Sequence, residues 1–301
     1  MDFSVLTKVW AQLTCENKIL IVTQEPRMAL AKEICRDNAP FVREIELLDA
    51  DKSDCKRKMR KLKKEDLLLV LLTMDGFVQE FRKDFSPFEP PRGVKSRYIF
   101  IRLDIPRAAL LSGLNTDLGK LADTVQSLEG LQAGRWVRVT APGGTDITLT
   151  VARKDDADYH PLQPGEDAFL PPSEVSHEVS TGSANGVIVA DVTVGEIRFG
   201  AELIDPLGLP DSPVTITVEN GLIAGITGGE TAQRLAQGLN RLDSGLQKVV
   251  ELGHGLSDLE VTGIIGVDES MSGTCHFGIG DRNPYHVDVV VDDPTITVLG
   301  G

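Results

Sequence analysis

Residues Gly273–Val291 read GTCHFGIGDRNPYHVDVVV, which is two strand-like runs on either side of a short segment rich in turn residues. Residues at positions i and i+2 of a strand point to the same face, so His286 and Asp288 present an imidazole and a carboxylate side by side. A hairpin would bring His276 next to this pair. Imidazole and carboxylate together suit zinc, cobalt, manganese or iron. Two interpretations follow: a hydrogen-bonded His–Asp couple, or half of a metal site.

The composition indicates an acidic globular chain that is long enough for two domains. Its 301 residues are 41% hydrophobic and 25% charged, and the formal net charge is −14. This charge argues against nucleic acid as the main partner, because phosphate binding needs a cationic face. No apolar run approaches the roughly 20 residues that span a bilayer, and the N-terminal segment is too polar for a secretory signal. Four cysteines without a CxxC pair are typical of reduced thiols. We therefore expect a cytoplasmic protein with no membrane partner.

The first third of the chain alternates apolar runs with helix-like segments. Predicted strands are KILIVTQ, VREIELLD, DLLLVLLTM and SRYIFIRLD. Strands that alternate with helices predict a parallel sheet with crossover connections. No GxGxxG sequence follows the first predicted strand, which argues against a dinucleotide site in this sheet.

From about Arg135 onward the chain becomes rich in Val, Ile, Thr, Gly and Pro, which predicts strands and turns. The ENG sequence between two β-rich runs predicts a hairpin, and one helix, GETAQRLAQGLNRLDSGLQKVVEL, interrupts the strands. We therefore predict an α/β fold of two domains. Residues 1–130 form a parallel-sheet α/β domain, and residues 131–301 form a β-rich α+β domain that carries the site.

Five short stretches in the C-terminal two thirds carry a family resemblance. They occur in the order APGGTDITLTV, AFLPPSEVS, VVELGHGL, DESMSGTCHFGIGD and HVDVVVDDPTI. In this order they resemble the aminopeptidase T family of metallopeptidases, also called the M29 leucyl aminopeptidases. The resemblance covers roughly residues 130 to 301. The stretches include two carboxylates, Glu174 in a predicted proline-rich loop and Glu251 directly after the predicted helix.

The resemblance implies a site for two divalent ions, which would be zinc, cobalt or manganese. By position, the implied ligands are two glutamates, two histidines and one aspartate: Glu174, Glu251, His276, His286 and Asp288. Two such ions can activate a water and polarise a peptide carbonyl together. The implied reaction is hydrolysis of the N-terminal residue of a peptide or a small amide. The resemblance also implies a homodimer.

The sequence departs from the family between the two ligand histidines. The family has a longer loop there, with a tyrosine seven positions after the first histidine, where this chain has Asn283. Tyr285 lies two residues further on. Tyr285 and His254 are therefore the predicted catalytic residues that polarise the substrate. His177 is expected to lie in a solvent-facing loop.

Two other interpretations remain open. The same region resembles dihydroxypyridine ring-cleaving dioxygenases, which use one Fe(II) held by two histidines and one carboxylate. In those relatives a histidine stands at the position of Glu251, and the counterpart of His276 is lost. This chain keeps both residues, which favours the dinuclear hydrolase. The third interpretation is a non-catalytic homologue with a vestigial site.

Overall fold

The computed structural model describes residues 2–25, 27–50, 55–72, 90–91, 93–101, 105–154, 159–199, 202–281 and 285–300. The chain divides into two compact units, Met1–Leu118 with Tyr159–Pro172 and Gly119–Asp158 with Ser173–Gly301. The predicted mixed α/β architecture is confirmed, with one parallel sheet and one large antiparallel sheet. The sequence predicted a single boundary near residue 130, and it did not include the return of the chain to the first unit at Tyr159.

Within the described residues, the first unit is built on a five-stranded parallel sheet. Its strands are β1 (Lys18–Thr23), β2 (Glu44–Asp49), β3 (Leu67–Leu71), β4 (Arg97–Ile101) and β7 (Asp167–Leu170). They lie in the order β2-β1-β3-β4-β7, and every neighbouring pair is parallel. The four N-terminal strands match the predicted apolar runs. β7 was not predicted, because its DAFL sequence is short and precedes two prolines.

The described helices of the N-terminal part are short. They are α1 (Met28–Asn38), α2 (Cys55–Met59), α3 (Arg107–Leu114) and α4 (Leu118–Ser127), the last beginning at the end of the first unit. β3 is buried at every position, as expected of a strand covered on both faces. The Trp10 indole N–H donates to the Leu114 carbonyl at 2.8 Å inside this core. Among the described residues, none of the helices combines the length and the apolar character needed to cross a bilayer.

The second unit contains a twelve-stranded antiparallel sheet within the described residues. Its strands are β5 (Trp136–Thr140), β6 (Asp146–Lys154), β8 (Glu174–Val179), β9 (Asn185–Ala190), β10 (Thr193–Phe199), β11 (Glu202–Gly208), β12 (Val214–Glu219), β13 (Leu222–Thr227), β14 (Val249–Gly255), β15 (Thr274–Gly280), β16 (His286–Asp292) and β17 (Thr295–Val298). The strand order is β11-β10-β16-β15-β14-β8-β6-β9-β12-β13, and β5 joins β17 to β6. In the described part of this unit, two α-helices accompany the sheet, α5 (Glu230–Leu239) and α6 (Ile265–Asp268).

Local sequence explains which predictions hold in this unit. The predicted ENG hairpin joins β12 to β13, with Asn220 and Gly221 at φ values of 52° and 80°. The long predicted helix is wrong beyond Leu239, because a turn follows and the β-branched pair Val249–Val250 enters β14. Glu251 is therefore a strand residue.

Candidate metal centre

Four neighbouring antiparallel strands, β8, β14, β15 and β16, place the five predicted ligands on one face of the sheet. The register aligns Gly278 with Glu251 on one side and with Asp288 on the other. His276 lies two residues before Gly278 on β15, and His286 lies two residues before Asp288 on β16. Both histidines therefore share the face of Glu251 and Asp288, since side chains alternate along a strand. The fifth predicted ligand, Glu174, is not in a loop as predicted. It begins β8 opposite Gly255, which shares the face of Glu251.

Side-chain distances show how closely these groups approach. His276 Nε2 lies 2.6 Å from Glu174 Oε2. Ligand atoms of Glu174, Glu251 and His276 all lie within 4.8 Å of one another, which is close enough for one ion to contact all three. His286 Nε2 lies 2.9 Å from Asp288 Oδ1 and 3.5 Å from Glu251 Oε2. Glu251 thus stands between the cluster around His276 and the pair formed by His286 and Asp288.

Two glycines leave the space that these side chains occupy. A Cβ atom on Gly253 would lie 2.0 Å from His276 Nε2 and 2.6 Å from Glu174 Oε2. A Cβ atom on Gly278 would lie 2.5 Å from His286 Cε1. Contacts this short do not occur, so any larger residue at either position would displace one of the predicted ligands. The absence of side chains at these two positions is therefore part of how the centre is built.

The backbone carbonyl of Asp281 orients the imidazole of His286. Its Nδ1 lies 3.1 Å from the Asp281 carbonyl oxygen, and its Nε2 faces Asp288. An Nδ1–H that donates to this carbonyl directs Nε2 toward the carboxylates, which is the usual arrangement of a metal-binding histidine. His276 differs, because its buried Nδ1 has no hydrogen-bond partner among the described residues.

The electrostatics of the cluster favour a bound cation. Burial, followed by the negative charges of Glu174 and Asp288, raises the pKa of Glu251. Burial opposes charge on both histidines, but Glu174 raises the pKa of His276 to about 10 and Asp288 raises that of His286 to about 9. Without a metal, protons on the two imidazoles balance the carboxylates. A divalent cation would relieve the same repulsion, and the oxygen and nitrogen donors fit such an ion.

Of the two predicted catalytic residues, His254 is not placed together with the five predicted ligands. His254 is three positions from Glu251 and points to the opposite face of β14, where burial holds its pKa well below the usual value. Its ring lies edge-on to His177, with ring centroids 5.5 Å apart. His177 is thus a buried residue of β8, and the expectation of a solvent-facing loop is wrong. Tyr285 directly precedes β16, half-buried, and Asn283 lies outside the described residues.

A buried aspartate that the sequence analysis did not select anchors the segment beside the centre. Asp268 is fully buried and accepts hydrogen bonds from the Thr262 N–H and hydroxyl, both at 2.8 Å, and from the Gly263 N–H at 2.8 Å. The Thr193 hydroxyl on β10 donates to the same carboxylate. Since β10 pairs with β16, Asp268 ties the loop before β15 to the neighbour of the strand that carries His286 and Asp288.

Comparison with known proteins identifies structures of similar fold but assigns no family. No protein-family model and no curated protein sequence matches the chain. The structure is similar to that of 2,5-dihydroxypyridine dioxygenase from Pseudomonas putida KT2440, with a TM-score of 0.61 and 17% identity over 98% of this chain and 92% of that one. It is also similar to wild-type AmpT from Thermus thermophilus, with a TM-score of 0.56 and 13% identity over 99% and 94%. At these identities the likeness establishes a shared fold.

Proposed function

We propose that this protein is a metal-dependent aminopeptidase that hydrolyses the N-terminal residue of peptides or related small amides. The observation that carries the proposal is the convergence of Glu174, Glu251 and His276 within 4.8 Å, beside the His286–Asp288 pair. The similarity in fold to AmpT supports it. We further propose that the active form is the homodimer expected from the sequence.

The five residues divide into roles that their contacts suggest. Glu174 and His276 would hold one divalent ion, His286 and Asp288 a second, and Glu251, which lies between them, would contact both. Bound there, zinc, cobalt or manganese would lower the pKa of a water and polarise a substrate carbonyl. Asp281 keeps the His286 ring in orientation through its carbonyl oxygen. Gly253 and Gly278 leave the space that the side chains of His276, Glu174 and His286 occupy.

Tyr285 is the proposed group that orients the substrate carbonyl, because it directly precedes His286 and is half-buried. The Tyr285→Phe variant tests this role, since it removes one hydroxyl and little volume. A loss of kcat with unchanged metal content supports the role, and an unchanged rate removes Tyr285 from the mechanism. His254 lies on the opposite face, so we assign it no contact with the substrate.

A mononuclear Fe(II) dioxygenase is the second candidate, and the similarity in fold to the dihydroxypyridine enzyme favours it. Such iron sites use two histidines and one carboxylate, whereas the five groups that lie together here are two histidines and three carboxylates. This difference in donors is why we favour the hydrolase.

Metal analysis and two assays distinguish the candidates. Protein purified without chelator should contain about two zinc, cobalt or manganese ions per chain and should cleave aminoacyl substrates. His286→Ala should remain folded and lose turnover, because it removes one ligand. One iron per chain, together with oxygen consumption on an aromatic diol, would replace the peptidase with the dioxygenase. A folded protein that binds no metal would support the non-catalytic homologue.

A further inference from the structure

The carboxyl end of β1 lies where the strand order of the parallel sheet reverses. The chain passes from β1 to its neighbour β2, and β3 then pairs on the other side of β1. In open parallel sheets, ligands bind in the crevice outside the carboxyl ends of the strands at such a reversal. β1 ends at Thr23 and α1 begins at Met28, so the turn between them occupies this position.

Three buried polar atoms at the end of β1 and in the following turn have no hydrogen-bond partner in the part of the chain that the structure describes. They are Thr23 Oγ1, Gln24 Oε1 and Arg27 Nε, and the Thr23 side chain is fully buried. Buried polar atoms are nearly always paired with protein, water or a ligand, so an unpaired group needs an explanation. The candidate metal centre shows the same feature at His276 Nδ1.

The helix that follows the turn has an uncapped N-terminus. α1 has eleven residues, its N-cap residue is Arg27, and it has neither a side-chain cap nor an acidic residue in its first turn. By contrast, α5 is capped by Asp211, whose carboxylate accepts the backbone N–H groups of Glu230 and Thr231 at 2.9 and 2.8 Å. The free N–H groups and the helix dipole make the start of α1 attractive to an anion.

We propose that the β1–α1 turn binds a single phosphate group. The Thr23 hydroxyl and the Arg27 Nε–H supply two donors, and the N–H groups of the first turn of α1 supply more. The unpaired oxygen of Gln24 is an acceptor, so it needs a donor from the ligand. Asp49, the register partner of Thr23, adds a negative charge at the end of β2 that favours a protonated ligand. A protonated phosphate has a P–O–H group that can donate, whereas sulfate at neutral pH has none.

The sequence of the turn also limits the size of the ligand. The glycine-rich turn that brings a backbone close to a pyrophosphate is absent after β1. The ligand is therefore inorganic phosphate or the phosphate of a monophosphate ester, and a dinucleotide is excluded.

The test is calorimetric titration of the full-length protein after removal of metal, so that phosphate cannot bind at the metal centre. We expect saturable binding of inorganic phosphate at one site per chain. Sulfate should bind at least about tenfold more weakly than phosphate. AMP as a third probe identifies the source: stronger binding of AMP than of phosphate indicates a nucleotide, and equal binding indicates free phosphate.

Two variants and a matched control locate the binding. Thr23→Val removes the hydroxyl at nearly constant volume, and Arg27→Gln removes the guanidinium, so each should weaken phosphate binding about tenfold. Arg43→Gln is the matched control, because it removes the same charge as Arg27→Gln. Arg43 is exposed and precedes β2, so it lies at the opposite end of the strands. This variant should bind phosphate as the wild type does.

Thr23→Val should keep its stability in the absence of phosphate, since it deletes an unpaired buried hydroxyl. The proposal is overturned if the wild type shows no saturable phosphate binding, because the turn then holds only water. It is also overturned if sulfate binds as tightly as phosphate, or if both variants bind as the wild type does. The comparison of phosphate with sulfate uses only the wild-type protein, so it holds even if a variant fails to fold.

Discussion

Gly253 lies directly opposite His276 in the β14–β15 ladder, and a Cβ atom at Gly253 would come within 2.0 Å of His276 Nε2. The His276 ring thus occupies the space above a residue without a side chain. Two strand neighbours that are distant in sequence together fix where the imidazole stands.

The Gly253→Ala variant should therefore lose metal while remaining folded. The added methyl would displace His276 or Glu174, and we expect metal affinity to fall by about 10- to 100-fold, as it does when the surroundings of metal ligands are changed. Gly225→Ala is the matched control, because Gly225 lies in β13 of the same sheet and an added Cβ there would have no atom within 4 Å. Metal titration checks both variants, and equal affinities would contradict the placement of His276.

Metal binding should release protons at pH 7. Glu174 and Asp288 raise the pKa values of His276 and His286 to about 10 and about 9, so both imidazoles are protonated in the metal-free protein at neutral pH. An incoming cation must displace these protons, and the affinity should increase as the pH rises toward 9. Calorimetry in buffers of different ionisation enthalpy counts the protons. His286→Gln should release about one proton fewer than the wild type, and an equal count would show that His286 is not a ligand.

The same shifts determine how the metal-free protein responds to pH. Because both folded-state values lie above the ordinary histidine value of about 6.5, the ion pairs stabilise the fold fully below pH 6.5. This contribution is lost as the pH rises through 9 and 10. Denaturation of chelator-treated protein between pH 7 and 10 should therefore show a larger loss of stability in the wild type than in His286→Gln, and equal losses would contradict the ion pairs.

Removal of metal should lower the thermal stability of the wild type. A ligand at 100 times its Kd stabilises the folded state by about 2.7 kcal/mol, so zinc at that excess should raise Tm by several degrees. Glu174→Gln should show a much smaller rise, because Glu174 Oε2 lies in the three-residue cluster. Glu178→Gln is the matched control, since Glu178 belongs to the same strand and has a side chain that is more exposed. A rise in Glu174→Gln equal to that of the wild type would exclude Glu174 as a ligand.

The hairpin of His276 and His286 could be predicted because its evidence is local. Alternation along HVDVVV gives the face of His286 and Asp288, and the turn residues before Tyr285 give the antiparallel return. The strand of Glu174 also has a local signal. In EVSHEV, polar and buried positions alternate, and this period of two identifies β8 despite the two preceding prolines.

The role of Gly253 could not be predicted in the same way. It depends on which residue of β15 lies opposite, and that register is set by contacts between strands that are distant in sequence. His254 illustrates the same limit, because its opposite orientation to Glu251 follows only once VVELGHG is known to be a strand and not the end of a helix.

Asp268 should make a large contribution to the stability of the second unit. Its fully buried carboxylate accepts four hydrogen bonds, from the N–H and hydroxyl of Thr262, the N–H of Gly263 and the hydroxyl of Thr193. In Asp268→Asn, the amide NH2 would face one backbone N–H and one hydroxyl. The hydroxyl can turn to accept a hydrogen bond, but the N–H would be left unpaired. We expect a loss of roughly 2–4 kcal/mol in the free energy of unfolding, measured by urea denaturation.

Asp258→Asn provides the matched control for this prediction. Asp258 is exposed in the same loop and accepts the Ser272 hydroxyl at 3.1 Å, so its substitution should change the free energy of unfolding by less than about 0.5 kcal/mol. Because Asp268 ties the loop to β10 beside β16, which carries the predicted ligands His286 and Asp288, Asp268→Asn should also weaken metal binding. A variant that unfolds at the same urea concentration as the wild type would show that the four hydrogen bonds are replaced by water without loss.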